Sequence, residues 1–286
     1  MFQFQNRFGV AALFAVASVG LSILAAHAGS NQSVVCESGN DLQKQIDSAS
    51  DGATLFFGEK CDGGPYFVSG KDINLRGFSS GAVMSAPGDN NCVLSIEFAR
   101  VEISRVDIDA SGAAHGICIG IGSSVRIFGN TVVRDAGSIG IALGHGASAL
   151  IEDNTLVEGA SEAGIDLLSG AHALIWGGSQ IRNNGAGIVI SGAASAAVED
   201  VELTGNSGAG VRVDLNSALE LAGETLIEEN DAGVVCGESG ALLVLGSPGD
   251  IDFGSGNPGG GDHTNDVLGS PTCHVSNLTG GPFPFP

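Results

Sequence analysis

Asp166, Arg212 and Asp214 are the residues of this chain whose types and spacing could do chemistry. They sit in, or one step past, two copies of a Gly-apolar-x-apolar segment, Gly164-Ile165-Asp166-Leu167 and Gly210-Val211-Arg212-Val213. Two carboxylates beside a guanidinium could bind Ca²⁺ together with a sugar acid, or act as acid and base on a glycosidic bond. The plainer reading is an ion pair. Arg212 bonded to Asp166 or Asp214 on a solvated face would contribute less than about 1 kcal/mol.

What must position these side chains is a repeat. Gly116, Gly140, Gly164, Gly187, Gly210 and Gly233 each open an alternating apolar pair, at spacings of 24, 24, 23, 23 and 23 residues. Each unit carries two further short apolar segments, as in Ile141/Leu143, Ala149/Ile151 and Thr155-Leu156-Val157. Alternation at period two is the mark of a strand with one face buried. The Gly, Ser, Asn and Asp between the segments tolerate tight turns. Three strands and three turns per unit make one coil of a parallel β-helix. Ile, Val and Leu then stack in inward columns, and small residues such as Ala149, Ala173 and Ala196 keep the core narrow. The outward position within the Gly strand runs Cys118, Ala142, Asp166, Val189, Arg212, Val235, and the next outward column runs Gly120, Gly144, Leu168, Ser191, Asp214, Gly237. Around the charged trio that face is mostly Ala, Val, Gly and Ser, without the aromatic rings on which sugars stack.

The pattern continues backwards through Val101/Ile103 and Ile73-Asn74-Leu75, which predicts roughly eight coils between Leu55 and Leu245. Asp41–Asp47 reads as a short amphipathic helix, with Leu42 and Ile46 on one side, that covers the open end of the stack. The expected fold class is all-β: a right-handed single-stranded parallel β-helix of 23–24-residue coils with a short N-terminal capping helix. Leucine-rich repeats would show a helical half-unit, and left-handed β-helices use shorter hexapeptide-based coils. The expected organisation is a signal peptide over 1–28, a cap over 29–54, the β-helix over 55–246 and a Gly/Pro/Asp-rich loop and tail over 247–286.

Arg7, the apolar run Val10–Ala26 and the Ala26-His27-Ala28 cleavage pattern predict export. A cut after Ala28 removes Arg7 and no acidic residue, taking the net charge from −21 to −22. That charge argues against nucleic acid and anionic membranes as partners, and against a polyanionic glycan unless Ca²⁺ bridges the two. No membrane insertion is expected after cleavage. The expected locations are secreted or periplasmic, and the oligomeric state is left open. All six cysteines (Cys36, Cys61, Cys92, Cys118, Cys236, Cys273) follow the signal, so disulfides are expected in an oxidising compartment. Neighbour pairing is the simplest of the 15 connectivities. A buried free thiol at Cys236 is the competing expectation there.

The helical start Asp41–Ser48, the first strand Gly52-Ala53-Thr54-Leu55-Phe56-Phe57 and the Gly-Ile-x-Ile coils resemble the pectate-lyase-like superfamily of right-handed β-helix proteins. The resemblance covers about Asp41 to Leu245 and rests on scaffold motifs. It implies the fold, and it implies polysaccharide as a partner because many relatives act on polysaccharides. No catalytic residue of the family maps onto a matching motif in this chain. A lyase would need a base plus neutralisation of the uronate, and no Arg/Lys cluster supplies the latter. The reading is an exported binding or structural module. The alternatives are a polysaccharide lyase, epimerase or glycosidase that uses Asp166, Arg212 and Asp214, and an architectural protein with no specific ligand.

The remaining polar features read as structural. Arg134, Glu158, Arg182 and Glu228 hold nearly equivalent places in the third strand and should attract across the ladder. Asn184, Ser207 and Asn230 each precede their Gly by three residues and read as turn residues. His115, His145 and His172 fall at different places in the coil and predict no metal site. The C-terminal Asp250, Asp252, Asp262 and Asp266 offer oxygen ligands for Ca²⁺ but lack the Gly-Gly-x-Gly-x-Asp repeat.

Overall fold

Three parallel ladders organise the chain. In a computed structural model, residues 30–36, 41–78, 81–88 and 90–237 are described, together with the backbone of strands Leu242–Leu245, Ile251–Asp252, Val267–Gly269 and His274–Asn277. The predicted signal peptide, 1–28, lies outside the described residues, as does 278–286 at the end of the predicted tail. The first sheet has 11 strands, from Asn31–Ser33 to His274–Asn277, and the second and third have nine each. Each coil contributes one strand to each sheet in the order first, third, second, as in Ser124–Phe128, Val132–Arg134 and Ile139–Leu143. From Ala53–Phe57 to Leu242–Leu245 the first sheet makes eight turns, as the repeat predicts.

The inward columns are those the alternation sets. Ile117, Ile141, Ile165, Ile188, Val211 and Val234 stack in the second sheet, and Ile108, Val133, Val157, Ile181, Leu203 and Ile227 in the third, all fully buried. Branched side chains on successive rungs interlock, which is why they dominate the columns. The core widens at its N-terminal end to take Phe57, Tyr66 and Met84. Burial pushes the Tyr66 hydroxyl up to about 12, and its oxygen accepts a hydrogen bond from the Gly63 N–H at 3.0 Å.

The repeated glycine has a steric cause. It stands at the corner where the chain enters the second sheet. A Cβ on Gly140 would lie 2.6 Å from the Gly164 carbonyl oxygen and 2.7 Å from Val157 Cγ1. No other residue leaves room for adjacent coils to approach there.

Helix Asp41–Ser48 buries Leu42 and Ile46 over the open end of the core. Its Gln43 side chain accepts from the Phe67 N–H at 2.7 Å and donates to the Phe67 carbonyl at 3.0 Å, which satisfies the exposed edge of strand Tyr66–Ser69. Lys71 Nζ donates to the carbonyls of Ile46 and Asp47 at 2.8 and 2.9 Å, placing a cation at the helix C-terminus.

The structure adds three findings. First, strand Asn90–Glu97 pairs with Ala113–Ile119 at a step of 23 residues, setting Cys92 against His115 and Leu94 against Ile117. Second, the region predicted as loop beyond 246 contains strands Ile251–Asp252, Val267–Gly269 and His274–Asn277, which continue all three ladders because unpaired strand edges recruit further backbone. Third, Cys236 is disulfide-bonded, not a free thiol. Its expected partner Cys273 lies outside the described residues. Cys36–Cys61 and Cys92–Cys118 pair as neighbours, as expected.

Candidate functional site

The outer face of the second sheet presents two columns, of which the second, Gly120, Gly144 and Leu168, lies two residues beyond the first. The first column runs Phe67, Ser95, Cys118, Ala142, Asp166, Val189, Arg212 and Val235. Size varies along it, and that variation shapes the surface. Ser95, Cys118 and Ala142 are small, so the floor sinks between Phe67 at one end and Leu168 at the other. The result is a groove of about 520 Å³, lined also by His145 and Glu97. Phe67 is 53% exposed and Leu168 40%, so both stand up as walls. The Cys92–Cys118 disulfide lies in the floor and joins two adjacent rungs.

Asp166 continues the column directly below Ala142. Burial first, then the neighbouring charge of Glu162, pushes its carboxyl up to about 6. Its Oδ1 is shielded from solvent and accepts no hydrogen bond from the described residues. Glu162 is held in place by Ser138 Oγ, which donates to its Oε2 at 2.7 Å. On the same face His115 is held below its usual value by burial, opposed by the charge of Glu162. Glu162 therefore bears on both a carboxyl that keeps its proton unusually long and an imidazole that sheds it early. A carboxyl displaced to about 6 can exchange a proton with a ligand near neutral pH.

Of the predicted trio, the fold brings two together. Arg212 Nε donates to Asp214 Oδ2 at 2.6 Å. Arg212 is more than half exposed, so this pair contributes at most about 1 kcal/mol. Asp166 stands two rungs away with Val189 between, about 10 Å along the axis at the usual strand spacing. Its electrostatic neighbour is Glu162, which the repeat does not single out because it lies in a turn outside the alternating positions.

The third-sheet column runs Asp109, Arg134, Glu158, Arg182, Thr204 and Glu228. Arg182 donates to Glu158 at 3.1 Å as expected, whereas Arg134 turns the other way, to Asp107 at 2.9 Å and Asp109 at 3.3 Å. His172 meets Ser195 Oγ at 2.7 Å on the first sheet, apart from His115 and His145. Among the described residues no three His, Cys, Asp or Glu side chains converge as a metal-binding set. The acidic C-terminal residues Asp250, Asp252, Asp262 and Asp266 lie outside the described side chains.

One polar feature corrects the sequence reading. Asn184, Asn206 and Asn230, not Ser207, form consecutive rungs and are fully buried. The coil between Ile181 and Leu203 is one residue short before the third strand and one long after it, so counting back from Gly210 misses the rung. Counting three residues forward from Ile181, Leu203 and Ile227 finds all three.

Comparison with known proteins bears on the scaffold. Residues 115–247 match the family described as right handed beta helix region. No curated protein matches the chain in sequence. Among solved structures, an alginate lyase from Paenibacillus sp. str. FPU-7 superposes with a TM-score of 0.51 at 14% identity, covering 85% of this chain and 99% of that one. Geobacillus virus E2 ORF18 superposes with a TM-score of 0.54 at 13% identity over 83% of this chain, which spans 56% of the viral one. At such identities the likeness is one of fold. Together with the three parallel ladders, it gives this chain the fold of a right-handed parallel β-helix.

Proposed function

We propose that the chain is an exported β-helix module that binds a polysaccharide along the second sheet, at the cell surface or in the periplasm. The carrying observation is the groove between Phe67 and Leu168. It runs along the solenoid axis for four rungs, about 19 Å at the usual spacing, enough for several sugar rings in a row. Its end walls are apolar and Glu97 and His145 line it between them, a mixture suited to a ligand with C–H faces and hydroxyl rims. The Cys36–Cys61 and Cys92–Cys118 disulfides support export, since such bonds persist in oxidising compartments. The Paenibacillus structure is named for alginate, a polyanion. The net charge of −21 here favours a neutral glycan instead.

The test is a glycan array with purified protein, followed by calorimetry on the best ligand. Phe67→Ala with Leu168→Ala should weaken binding at least about tenfold while leaving the thermal midpoint within a few degrees. Undiminished binding by that variant would overturn the assignment of the groove.

A second reading, a polysaccharide lyase, epimerase or glycosidase, draws on one observation: the Asp166 carboxyl, raised to about 6, can give up or take a proton near neutral pH. Arg212 and Asp214 would then serve as the charge-binding partners two rungs away. Incubation with polysaccharides, with and without Ca²⁺, tests it. Unsaturated products or new reducing ends that vanish in Asp166→Asn would establish turnover and replace the binding-module reading.

A further inference from the structure

The Cys92–Cys118 bridge differs in setting from Cys36–Cys61. It joins neighbouring rungs on the diagonal, because the ladder sets Cys92 against His115 and Cys118 against Ser95. Both of its cysteines line the groove. Cys118 is partly open to solvent there, whereas Cys92 is 7% exposed. At the other bridge, Cys61 is fully enclosed and its ladder partner is the apolar Met84.

His115 supplies a second, independent observation. It neighbours Cys92 on the next rung, just ahead of the glycine corner, about 5 Å away at the usual strand spacing. Its Nδ1 is shielded from solvent and has no hydrogen-bond partner among the described residues. Burial holds the imidazole below its usual value, so at neutral pH the ring is uncharged and Nδ1 can accept. An intact disulfide has no hydrogen to give it. A Cys92 thiol would have one. An empty buried acceptor costs free energy, and opening the bridge creates a donor on the adjacent rung.

We propose that Cys92–Cys118 is a thiol–disulfide exchange site whose substrate is a small neutral or cationic thiol entering the groove. The thiol attacks Cys118 Sγ, the accessible sulfur. A new S–S bond forms between them and the Cys92–Cys118 bond breaks. Its electron pair leaves on Cys92 Sγ, which takes up the proton lost by the incoming thiol. A second thiol then displaces Cys118 from the mixed disulfide, leaving a Cys118 thiol and one small disulfide. Two thiols are oxidised and one protein disulfide is reduced. His115 is a positioning residue: by accepting the Cys92 S–H it favours the opened form. A groove of about 520 Å³ admits a molecule of this size. Glu97 in its lining and the net charge of −21 disfavour an anionic thiol. The site shares the groove floor but goes beyond the polysaccharide reading and stands without it.

The intact oxidised protein is incubated with graded cysteamine or mercaptoethanesulfonate without denaturant. Free thiols are capped with N-ethylmaleimide and the peptides read by mass spectrometry. Cys92 and Cys118 should be labelled at a cysteamine concentration at least about tenfold below that which labels Cys61, with circular dichroism unchanged. The mixed disulfide trapped at short times should lie on Cys118, and the anionic thiol should form it more slowly. At a fixed ratio of cysteamine to its disulfide, His115→Leu should lower the opened fraction about tenfold. His115→Gln, which restores an acceptor, should recover most of it. Loss of packing alone would open the bridge more readily, the opposite direction. Both bridges opening together, or opening only with loss of the circular dichroism signal, overturns the proposal. A mixed disulfide on Cys92, or an opened fraction indifferent to His115→Leu, also overturns it. The assay contains no glycan, so its failure is distinguishable from failure of the polysaccharide reading.

Discussion

Asn206 donates from Nδ2 to Asn230 Oδ1 at 2.8 Å and accepts on its own Oδ1 from Asn184 Nδ2 at 3.2 Å. Both oxygens also accept a backbone N–H from the coil before, and each amide donates to a third-strand carbonyl. The ladder satisfies turn backbone groups that no strand partner reaches. Asn206→Ala strands donors and acceptors on both neighbours and should cost about 2–4 kcal/mol. In urea denaturation this appears as a lower midpoint at unchanged slope. Ser207→Ala, one residue on and outside the ladder, should cost under about 1 kcal/mol.

The glycine repeat gives a paired test. A Cβ on Gly164 would lie 2.7 Å from Ile181 Cγ2, 2.8 Å from Asn184 Nδ2 and 2.9 Å from the Gly187 carbonyl oxygen. Gly164→Ala should therefore destabilise by about 2–3 kcal/mol through overpacking. Gly170 has a φ of +76° and open space around it. Gly170→Ala should cost about 1 kcal/mol, from backbone conformation alone. Equal losses in calorimetric melting would contradict the steric account.

Asp166 predicts a pH signature. Its folded carboxyl, raised to about 6 from an ordinary value of 3.8, is charged at a cost above pH 6 and neutral in both states below about pH 4. The group thus destabilises the fold at high pH, and the penalty fades as pH falls from 6 to 4. Asp166→Asn should raise stability by roughly 1–3 kcal/mol at pH 8 and by almost nothing at pH 4. A constant difference across that range would remove the electrostatic explanation.

The Cys92–Cys118 bond spans 26 residues of chain. Replacing both with Ser should cost about 2–4 kcal/mol, chiefly by freeing the unfolded chain. Because the bond also forms the groove floor, glycan affinity measured by calorimetry should fall with it.

Alternation at period two and a spacing of 23–24 residues determined the coil, the inward columns and the cap, because burying one face of each strand leaves a single arrangement of the apolar side chains. Helix Asp41–Ser48 and the pairing of Arg182 with Glu158 were legible on those terms. What faces solvent was not, since no packing constraint ties an outward residue to a partner 22 to 24 positions away. The tertiary structure alone decided that Arg212 pairs with Asp214 rather than Asp166, and that Glu162 sets the charge around Asp166. It also decided that Glu152 joins Trp176 to Arg126. Those relationships depend on register, and one residue moved between the turns of a coil is enough to shift the buried rung from Ser207 to Asn206.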